Sequence, residues 1–248
     1  MDQGRRANEA RGEHVNLFVD AWHYFTDGAN WGGPTGIEFR LAQHLWYTLL
    51  AVAGSALIAV PLGLVIGHRR RGAAVLVGFA NAMRALPTLG LLTFLVLLLG
   101  LGLIPPLLAL LTVGIPPLLA GAYAGVANVP ADVVDASRAM GMTERQILFR
   151  VEVPNAMPIL VNGLRGATLQ VVATATIAAY VNLGGLGRYI FDGLGLHRYD
   201  RVLVGALLVA ALAMLLDGLL ALVVWATTPG TGRLRMTPTP VEVRQVAR

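Results

Sequence analysis

Five stretches of the chain are apolar over the length of a membrane-spanning helix. These runs are Leu45–Gly67, Leu86–Ile104, Leu107–Ala127, Gly166–Leu183 and Val202–Ala226. A hydrocarbon core of about 30 Å is crossed by about 20 residues in helical form. The pattern therefore predicts an all-α integral membrane protein with about five transmembrane helices. The fourth helix is expected to begin before its apolar run, near Pro158.

The approach to the second run leaves two interpretations open. Residues 73–83 are apolar but too short to cross a bilayer alone, and they lead into Arg84 and Pro87. The residue before a proline disfavours helix, so a break is expected there. One interpretation is a separate cytoplasmic-side helix, a break, and then the second span. The other is one long kinked helix through residues 73–104.

Composition supports a membrane protein. The 248 residues are 56% hydrophobic and 13% charged, whereas an ordinary soluble domain is about 25% charged. Disorder requires low hydrophobicity, which this chain lacks. Cysteine is absent, so disulfides and thiolate chemistry are excluded. The five histidines are scattered without ligand spacing, and we expect no metal site.

The basic residues predict the topology. All of them are Arg and they lie between apolar runs, a pattern that indicates membrane orientation rather than nucleic-acid binding. Arg69–Arg71 follow the first run, and Arg138, Arg145 and Arg150 lie between the third and fourth. Because Arg favours cytoplasmic loops, we expect a protein of the cytoplasmic membrane with its amino terminus outside and its carboxyl terminus inside. The expected organisation is an external segment 1–44, a transmembrane domain 45–227 and a cytoplasmic tail 228–248.

The external segment contains an amphipathic pattern. Its apolar face at helical spacing consists of Leu17, Phe18, Ala21, Trp22 and Phe25. A helix of this kind lies on the membrane surface or packs against the spans, and the sequence favours neither.

The link between the third and fourth spans, residues 128–158, is polar yet has helical signals. Pro130 suits the first turn of a helix, and Gly141 suits a helix end. Thr143 and Gln146 fit a capping box that begins a second helix, and Pro154 marks the return to the membrane. We therefore expect two short helices on the cytoplasmic surface. A side chain at Gly141 is expected to clash or to lose the left-handed conformation.

Exposed apolar side chains on this link could enter the groove of a cytoplasmic partner. The residues in question are Ala136, Ala139, Met140 and Met142. Such contacts would be helix-in-groove recognition. The alternative from the residues alone is a simple structured loop.

The spacing within the link resembles the EAA loop of ABC-transporter permeases, the membrane subunits of binding-protein-dependent importers. Asp135-Ala136-Ser137 stands first, Gly141 follows after three intervening residues, and Val151-Glu152-Val153-Pro154 follows after nine more. Asp replaces Glu, Ser replaces the second Ala, and Val replaces Ile and Leu. The resemblance implies a MetI-like fold and an ATPase-coupling loop. Its coupling residues would be Asp135, Ala136, Ser137, Ala139, Met140, Gly141, Met142 and Pro154.

Two further segments narrow the resemblance. Arg84–Gly90 and the Gly-Gly-Leu-Gly segment Asn182–Leu194 are similar to permeases for osmoprotectants such as glycine betaine, choline, carnitine or proline. A similar Arg-x-x-Pro occurs in methionine permeases. The alternative is therefore a permease for methionine or another amino acid.

The resemblance also implies partners. Such permeases pair as homodimers or heterodimers, bind a cytoplasmic ATPase and receive substrate from an external binding protein. They then alternate between inward-open and outward-open states within the membrane lipids. A Walker A loop requires Lys, which this chain lacks, so ATP would be bound by the partner ATPase and this chain would bind no cofactor. It would not be an enzyme itself and would bind no nucleic acid.

Polar and aromatic residues in the spans are candidates for the translocation path. They are Tyr123, Gln170, Thr174, Tyr180 and Asp217. Aromatic rings suit a quaternary ammonium cation, although such rings also pack or face lipid. Asp217 is an intramembrane carboxylate, which indicates a path role or a hydrogen bond to the fourth helix. A membrane enzyme would need clustered acidic residues at one face, and a passive channel would conduct without ATP.

Overall fold

A computed structural model describes residues 17–181 and 183–227. Within these ranges the chain forms helices and turns, with no strand. The helices are α1 (17–26), α2 (Ile37–Arg69), α3 (Ala73–Ala85), α4 (Thr88–Leu99), α5 (Ile104–Ala127), α6 (Ala131–Ala139), α7 (Glu144–Ile147), α8 (Val153–Ala175), α9 (Gly187–Gly195) and α10 (Tyr199–Thr227). Short 3-10 helices cover Gly28–Asn30 and Thr176–Val181, and a π-helical turn covers Leu148–Glu152. Residues 1–16, Asn182 and the predicted tail 228–248 lie outside the described residues.

Four helical stretches of the described chain are long and apolar enough to cross a membrane. They are α2, α5, Glu144–Val181 and Tyr199–Trp225. The α3 and α4 helices meet the same criterion as a pair, and the two are bent by 81°. With this pair as one span the count is five, which confirms the predicted membrane fold with about five spans.

The bend between α3 and α4 confirms the break expected before Pro87, so residues 73–104 are not one continuous helix. Leu86 leaves the helix in an extended conformation, and Pro87 is the N-cap of α4. With 12 residues, α4 is shorter than the predicted second span and too short to cross a bilayer alone. Gly100 and Gly102 follow it with φ values of +82° and +150°, which only glycine adopts readily.

The first and fourth spans begin earlier than their apolar runs. The α2 helix starts at Ile37 rather than Leu45, because Ile37 is buried in a cluster with Val172 and Leu186. Tertiary packing therefore extends the helix beyond the segment that lipid alone would require.

The α8 helix begins at Val153, a few residues before the start expected near Pro158. Pro154 lies in the first turn of α8 and Pro158 lies inside it, so the helix continues through both. A proline ring clashes with the carbonyl four residues earlier in a regular α-helix. The π-helical turn widens the preceding backbone, with the Val153 amide bonded to the Leu148 carbonyl. α7 and α8 therefore form one continuous arm.

Small residues let α2, α5 and α8 approach one another closely. The buried face of α2 repeats every four residues with Ala51, Ser55, Ala59, Gly63 and Gly67. A Cβ on Gly63 would lie 2.6 Å from the Cβ of Ala122 on α5. In lipid, helices associate through van der Waals contact rather than the hydrophobic effect, so small residues at the contact stabilise the packing.

Small residues also lie at the contact between α5 and α8. A Cβ on Gly121 would lie 2.8 Å from the Cα of Gly163 on α8. The three helices therefore form the packed centre of the described chain, whereas much of α10 is exposed on its surface.

The α1 helix packs against the helical bundle along one side, which is the second of the two interpretations of the amphipathic segment. Ala21 is buried, and Tyr24 and Phe25 pack against the cluster that contains Ile37 and Leu186. Phe18 and Trp22 on the same helix are exposed. One face of α1 is thus packed on the helical bundle, while the aromatic side chains of Phe18 and Trp22 remain exposed.

Candidate functional site

The link between α5 and α8 folds into a small knob made of α6 and α7. Pro130 precedes α6 in an extended conformation, and Gly141 turns the chain between the helices with φ +82°. Thr143 and Gln146 form the predicted capping box of α7, with the Thr143 amide 2.8 Å from Gln146 Oε1 and the Gln146 amide 3.4 Å from Thr143 Oγ1. The predicted two short helices joined at a glycine are present. A Cβ on Gly141 would have no heavy atom within 4 Å, so the expected clash is absent and only the backbone requirement remains.

The knob has its own apolar core. Val129, Val134 and Ile147 are buried together, and Met142 packs against them. Met142 is therefore not free to enter a partner's groove, in contrast to its grouping with the exposed apolar residues. The sequence did not reveal this because the direction of a side chain just after a left-handed glycine depends on the turn itself.

The tip of the knob is exposed. Ala136, Ala139 and Gly141 are exposed there, and Met140 is 75% exposed. Pro154 is also exposed, but it lies on the continuous α7–α8 arm. The structure thus brings four of the eight predicted coupling residues together on one exposed surface.

Two other predicted coupling residues stabilise the knob rather than extend its tip. Ser137 is buried, and its hydroxyl donates to the Val133 carbonyl at 2.8 Å. Asp135 is exposed and accepts from Arg138 Nη1 at 3.0 Å on the same helix.

Arg138 joins the two helices of the knob. Its Nε and Nη2 donate to the two carboxylate oxygens of Glu144 at 2.8 and 3.1 Å. Hydrogen bonding to Glu144 raises the pKa of Arg138 above its ordinary value, so this side chain is charged at every physiological pH. Bidentate Arg–carboxylate geometry sets orientation as well as distance, so this pair links α6 to the start of α7 in a defined orientation.

His68 connects the knob to the carboxyl-terminal end of α2. Its Nε2 lies 3.1 Å from Glu144 Oε2, and its Nδ1 lies 2.5 Å from Glu152 Oε2. Glu152 is in the π-helical turn and is only 1% exposed. Nearby, Arg70 Nη2 donates to the Val129 carbonyl at 2.8 Å. Sequence reasoning grouped His68 with the scattered histidines, because its partners are far away in the chain.

A second set of contacts holds the amino-terminal half of α2. The amide of Gly185 donates to Gln43 Oε1 at 3.1 Å, and the amide of Leu186 donates to His44 Nδ1 at 3.3 Å. His44 is fully buried, and its Nε2 is 3.0 Å from the Val172 carbonyl on α8. These side chains, which sequence reasoning did not select, hold the Gly-Gly-Leu-Gly segment against α2.

The α9 helix is attached to the amino-terminal segment. Tyr189 donates its hydroxyl to the Thr35 carbonyl at 3.0 Å, and its ring meets Tyr24 of α1 edge-on. Burial raises the pKa of Tyr189, so the hydroxyl keeps its proton and remains a donor.

The five candidates for a translocation path are dispersed rather than gathered. Tyr123 packs partly buried near α2, Gln170 is exposed on α8, and Thr174 lines a small gap between α5 and α8. Tyr180 is exposed, and its ring packs against that of Phe191 in a tilted arrangement with 5.6 Å between ring centroids. Asp217 pairs with Arg165 on α8. Among the described residues, no three His, Asp or Glu side chains are placed to hold a metal ion.

The long apolar helices, their close packing and the folded polar link between two of them are those of a multi-pass membrane protein. Residues 59–227 match the family described as binding-protein-dependent transport system inner membrane component. The chain therefore belongs to this family of inner-membrane transport permeases.

Three relatives show where the chain lies within the family. It is 35% identical to the glycine betaine/carnitine/choline transport system permease protein OpuCB of Bacillus subtilis, over 77% of this chain and 88% of that protein. It is 31% identical to the osmoprotectant import permease protein OsmW of Salmonella typhimurium, over 82% of this chain and 94% of that protein. An inward-facing structure of the MetNI methionine ABC transporter matches with a TM-score of 0.66 and 25% identity, over 75% of this chain and 94% of that one.

Proposed function

We propose that this chain is the translocation subunit of an ATP-driven importer for osmoprotectants such as glycine betaine, choline, carnitine or proline. The observation that supports this choice of cargo is the 35% identity to permeases whose names specify glycine betaine, carnitine and choline. The runner-up cargo is methionine or another amino acid, which the similarity to a methionine transporter supports.

The exposed knob is the proposed docking site for a cytoplasmic ATPase. Its tip presents Met140 with Ala136 and Ala139, a compact apolar ridge suited to a groove. The core beneath it and the Arg138–Glu144 pair make the ridge rigid, so a push on the tip reaches α8 through the continuous arm. Asp135, Ser137, Gly141, Met142 and Pro154 hold that shape and place the ridge. ATP would be bound and hydrolysed by the ATPase, and this chain would bind no cofactor.

The remaining proposals concern the assembly. Two permease chains, identical or different, would enclose the path, and an external binding protein would deliver the solute at the amino-terminal side. The Arg clusters place the knob and the tail 228–248 in the cytoplasm and the segment 1–44 outside. The exposed Phe18 and Trp22 of α1 would then contact the outer membrane interface, where aromatic rings are favourable. Tyr123, Gln170, Thr174 and Tyr180 remain candidates for the path.

The test is uptake of labelled glycine betaine into proteoliposomes that contain this chain, its co-encoded permease and ATPase partners, and the binding protein. ATP-dependent uptake is the expected result. A Met140→Asp variant should lose ATPase binding, whereas Leu196→Asp, at an exposed position between α9 and α10, should bind normally.

Uptake of methionine but not of glycine betaine would overturn the cargo and keep the permease. Normal ATPase binding by Met140→Asp would overturn the docking site. Uptake without ATP would overturn the proposed energy coupling.

A further inference from the structure

We propose that His68 is a positioning residue that couples the knob to α2, so that movement of the docked partner reaches the outer side of the membrane. The inference rests on the proposed function. It is carried by one juxtaposition: the imidazole at the end of α2 lies between Glu144 on α7 and Glu152 in the π-helical turn.

The geometry gives the imidazole two acceptors. Both ring nitrogens are within hydrogen-bond distance of carboxylate oxygens, at 3.1 Å and 2.5 Å. Glu144 Oε2 is shared with Arg138 Nη2 at 3.1 Å. A continuous network therefore runs from Arg138 on α6 through Glu144 to His68 and ends at the buried Glu152.

The network matters because α2 does not lead directly into the knob. The α5 and α8 helices continue into the loop on either side, whereas α2 meets it by packing and through side chains. A second polar contact joins Arg70 to the Val129 carbonyl, at the start of the loop. His68 thus gives α2 a polar contact with the part of the loop that leads into α8.

The α2 helix extends the connection to the opposite face. It has 33 residues, and at a rise of about 1.5 Å per residue it is about 50 Å long. At its outer end Gln43 and His44 hold Gly185 and Leu186. Coupling between distant sites is carried by rigid elements and hydrogen-bond networks, and α2 with His68 at one end and His44 at the other is such an element.

Glu152 makes the loss of the His68 contact costly. A buried carboxylate without a partner is costly, so the π-helical turn keeps its place only while His68 faces it. Loss of the imidazole would release the turn where α7 meets α8. The knob could then move without moving α2.

The experiment replaces His68 with Ala, Asn and Gln in the reconstituted transporter. The Asn amide can reach roughly where Nδ1 lies and the Gln amide roughly where Nε2 lies, so each keeps one of the two contacts. His23→Ala is the matched control, because His23 is an exposed histidine on α1. The measurement is ATP hydrolysed per solute transported, at equal amounts of assembled complex.

We expect His68→Ala to raise the ATP cost per solute by roughly threefold or more while ATPase binding persists. The Asn and Gln variants should fall between it and the unchanged protein, and His23→Ala should match the unchanged protein. A residue that only supported folding would lower the amount of complex without changing this ratio. An unchanged ratio in His68→Ala would overturn the proposal.

A second measurement does not depend on the cargo. The chain has no cysteine, so spin labels can be placed at two introduced cysteines, Arg71→Cys beside α2 and Met140→Cys at the tip of the knob. We expect the distance distribution between the labels to broaden with His68→Ala and to stay narrow with His23→Ala. Equal widths would overturn the proposal even if the solute proved to be something other than an osmoprotectant.

Should His68→Ala not assemble, Glu144→Gln weakens the same link without leaving a buried charge. It should raise the ATP cost per solute as well, and a normal ratio there would count against His68.

Discussion

Arg165 on α8 and Asp217 on α10 form a bidentate ion pair inside the membrane-spanning region. The side chains are 37% and 28% exposed, so the pair lies at the edge of the α8–α10 contact rather than in a packed centre. Arg165 therefore explains why a carboxylate lies in the fifth apolar run. Asp217 makes an interhelical contact, which is the structural one of the two roles expected for it.

This pair predicts that Asp217→Asn lowers the thermal unfolding temperature in detergent by several degrees, because Arg165 loses its counter-charge in a medium of low polarity. Exchange of the two charges, Arg165→Asp with Asp217→Arg, should recover most of the loss. Near-normal stability of Asp217→Asn together with a loss of transport would instead assign the carboxylate to the translocation path.

The contact between α2 and α5 predicts a strong effect of one methyl group. Gly63→Ala would bring a Cβ to 2.6 Å from the Cβ of Ala122, and such overpacking costs about 1–3 kcal/mol. Gly78→Ala on α3 is the control, since a Cβ there meets nothing within 4 Å and alanine favours helix. Chemical unfolding in detergent should separate the two variants.

Ala122→Gly in the Gly63→Ala background removes the opposing Cβ and should restore part of the stability. Equal stability of Gly63→Ala and Gly78→Ala would mean that α2 and α5 are farther apart than the structure places them.

The sequence predicted the features that local or lipid rules determine. Apolar runs identified the spans because helices in hydrocarbon are predominantly apolar, and Gly141 with the Thr143 capping box followed from backbone rules. The four-residue repeat of small residues from Ala51 to Gly67 was not predicted, because the hydropathy pattern obscures it.

The contacts of His68 and His44 could not be found in this way. His68 meets Glu152 across 84 residues of chain, and His44 meets Leu186 across 142. Such pairs depend on how the spans are arranged, which hydropathy does not specify.

The buried His44 predicts a stability loss at the outer end of α2. His44→Phe keeps a ring but removes the acceptor for the Leu186 amide and the contact with the Val172 carbonyl, and unsatisfied buried groups cost about 1–3 kcal/mol. His23→Phe on exposed α1 should be neutral. Hydrogen exchange at the Leu186 amide should be faster in the first variant only. Slow exchange in both variants would contradict the role of His44 in holding the Leu186 amide.

Gly141 allows the knob to be tested through backbone conformation alone. Its φ of +82° is left-handed and no heavy atom lies within 4 Å of a Cβ placed there. A left-handed conformation costs an ordinary residue about 1–2 kcal/mol, but Asn and Asp visit it readily. We therefore expect Gly141→Asn to keep most ATPase binding and transport, and Gly141→Val to lose both, as measured by co-purification and ATP-dependent uptake.

This expectation changes the prediction that a side chain would clash at Gly141, because the surrounding space in the isolated chain is empty. Gly141→Asp should then resemble Gly141→Asn more than Gly141→Val. If Asn and Asp fail as completely as Val while the chain still reaches the membrane, backbone strain cannot be the reason. The ATPase itself would then have to approach Gly141 so closely that no side chain fits between the two proteins.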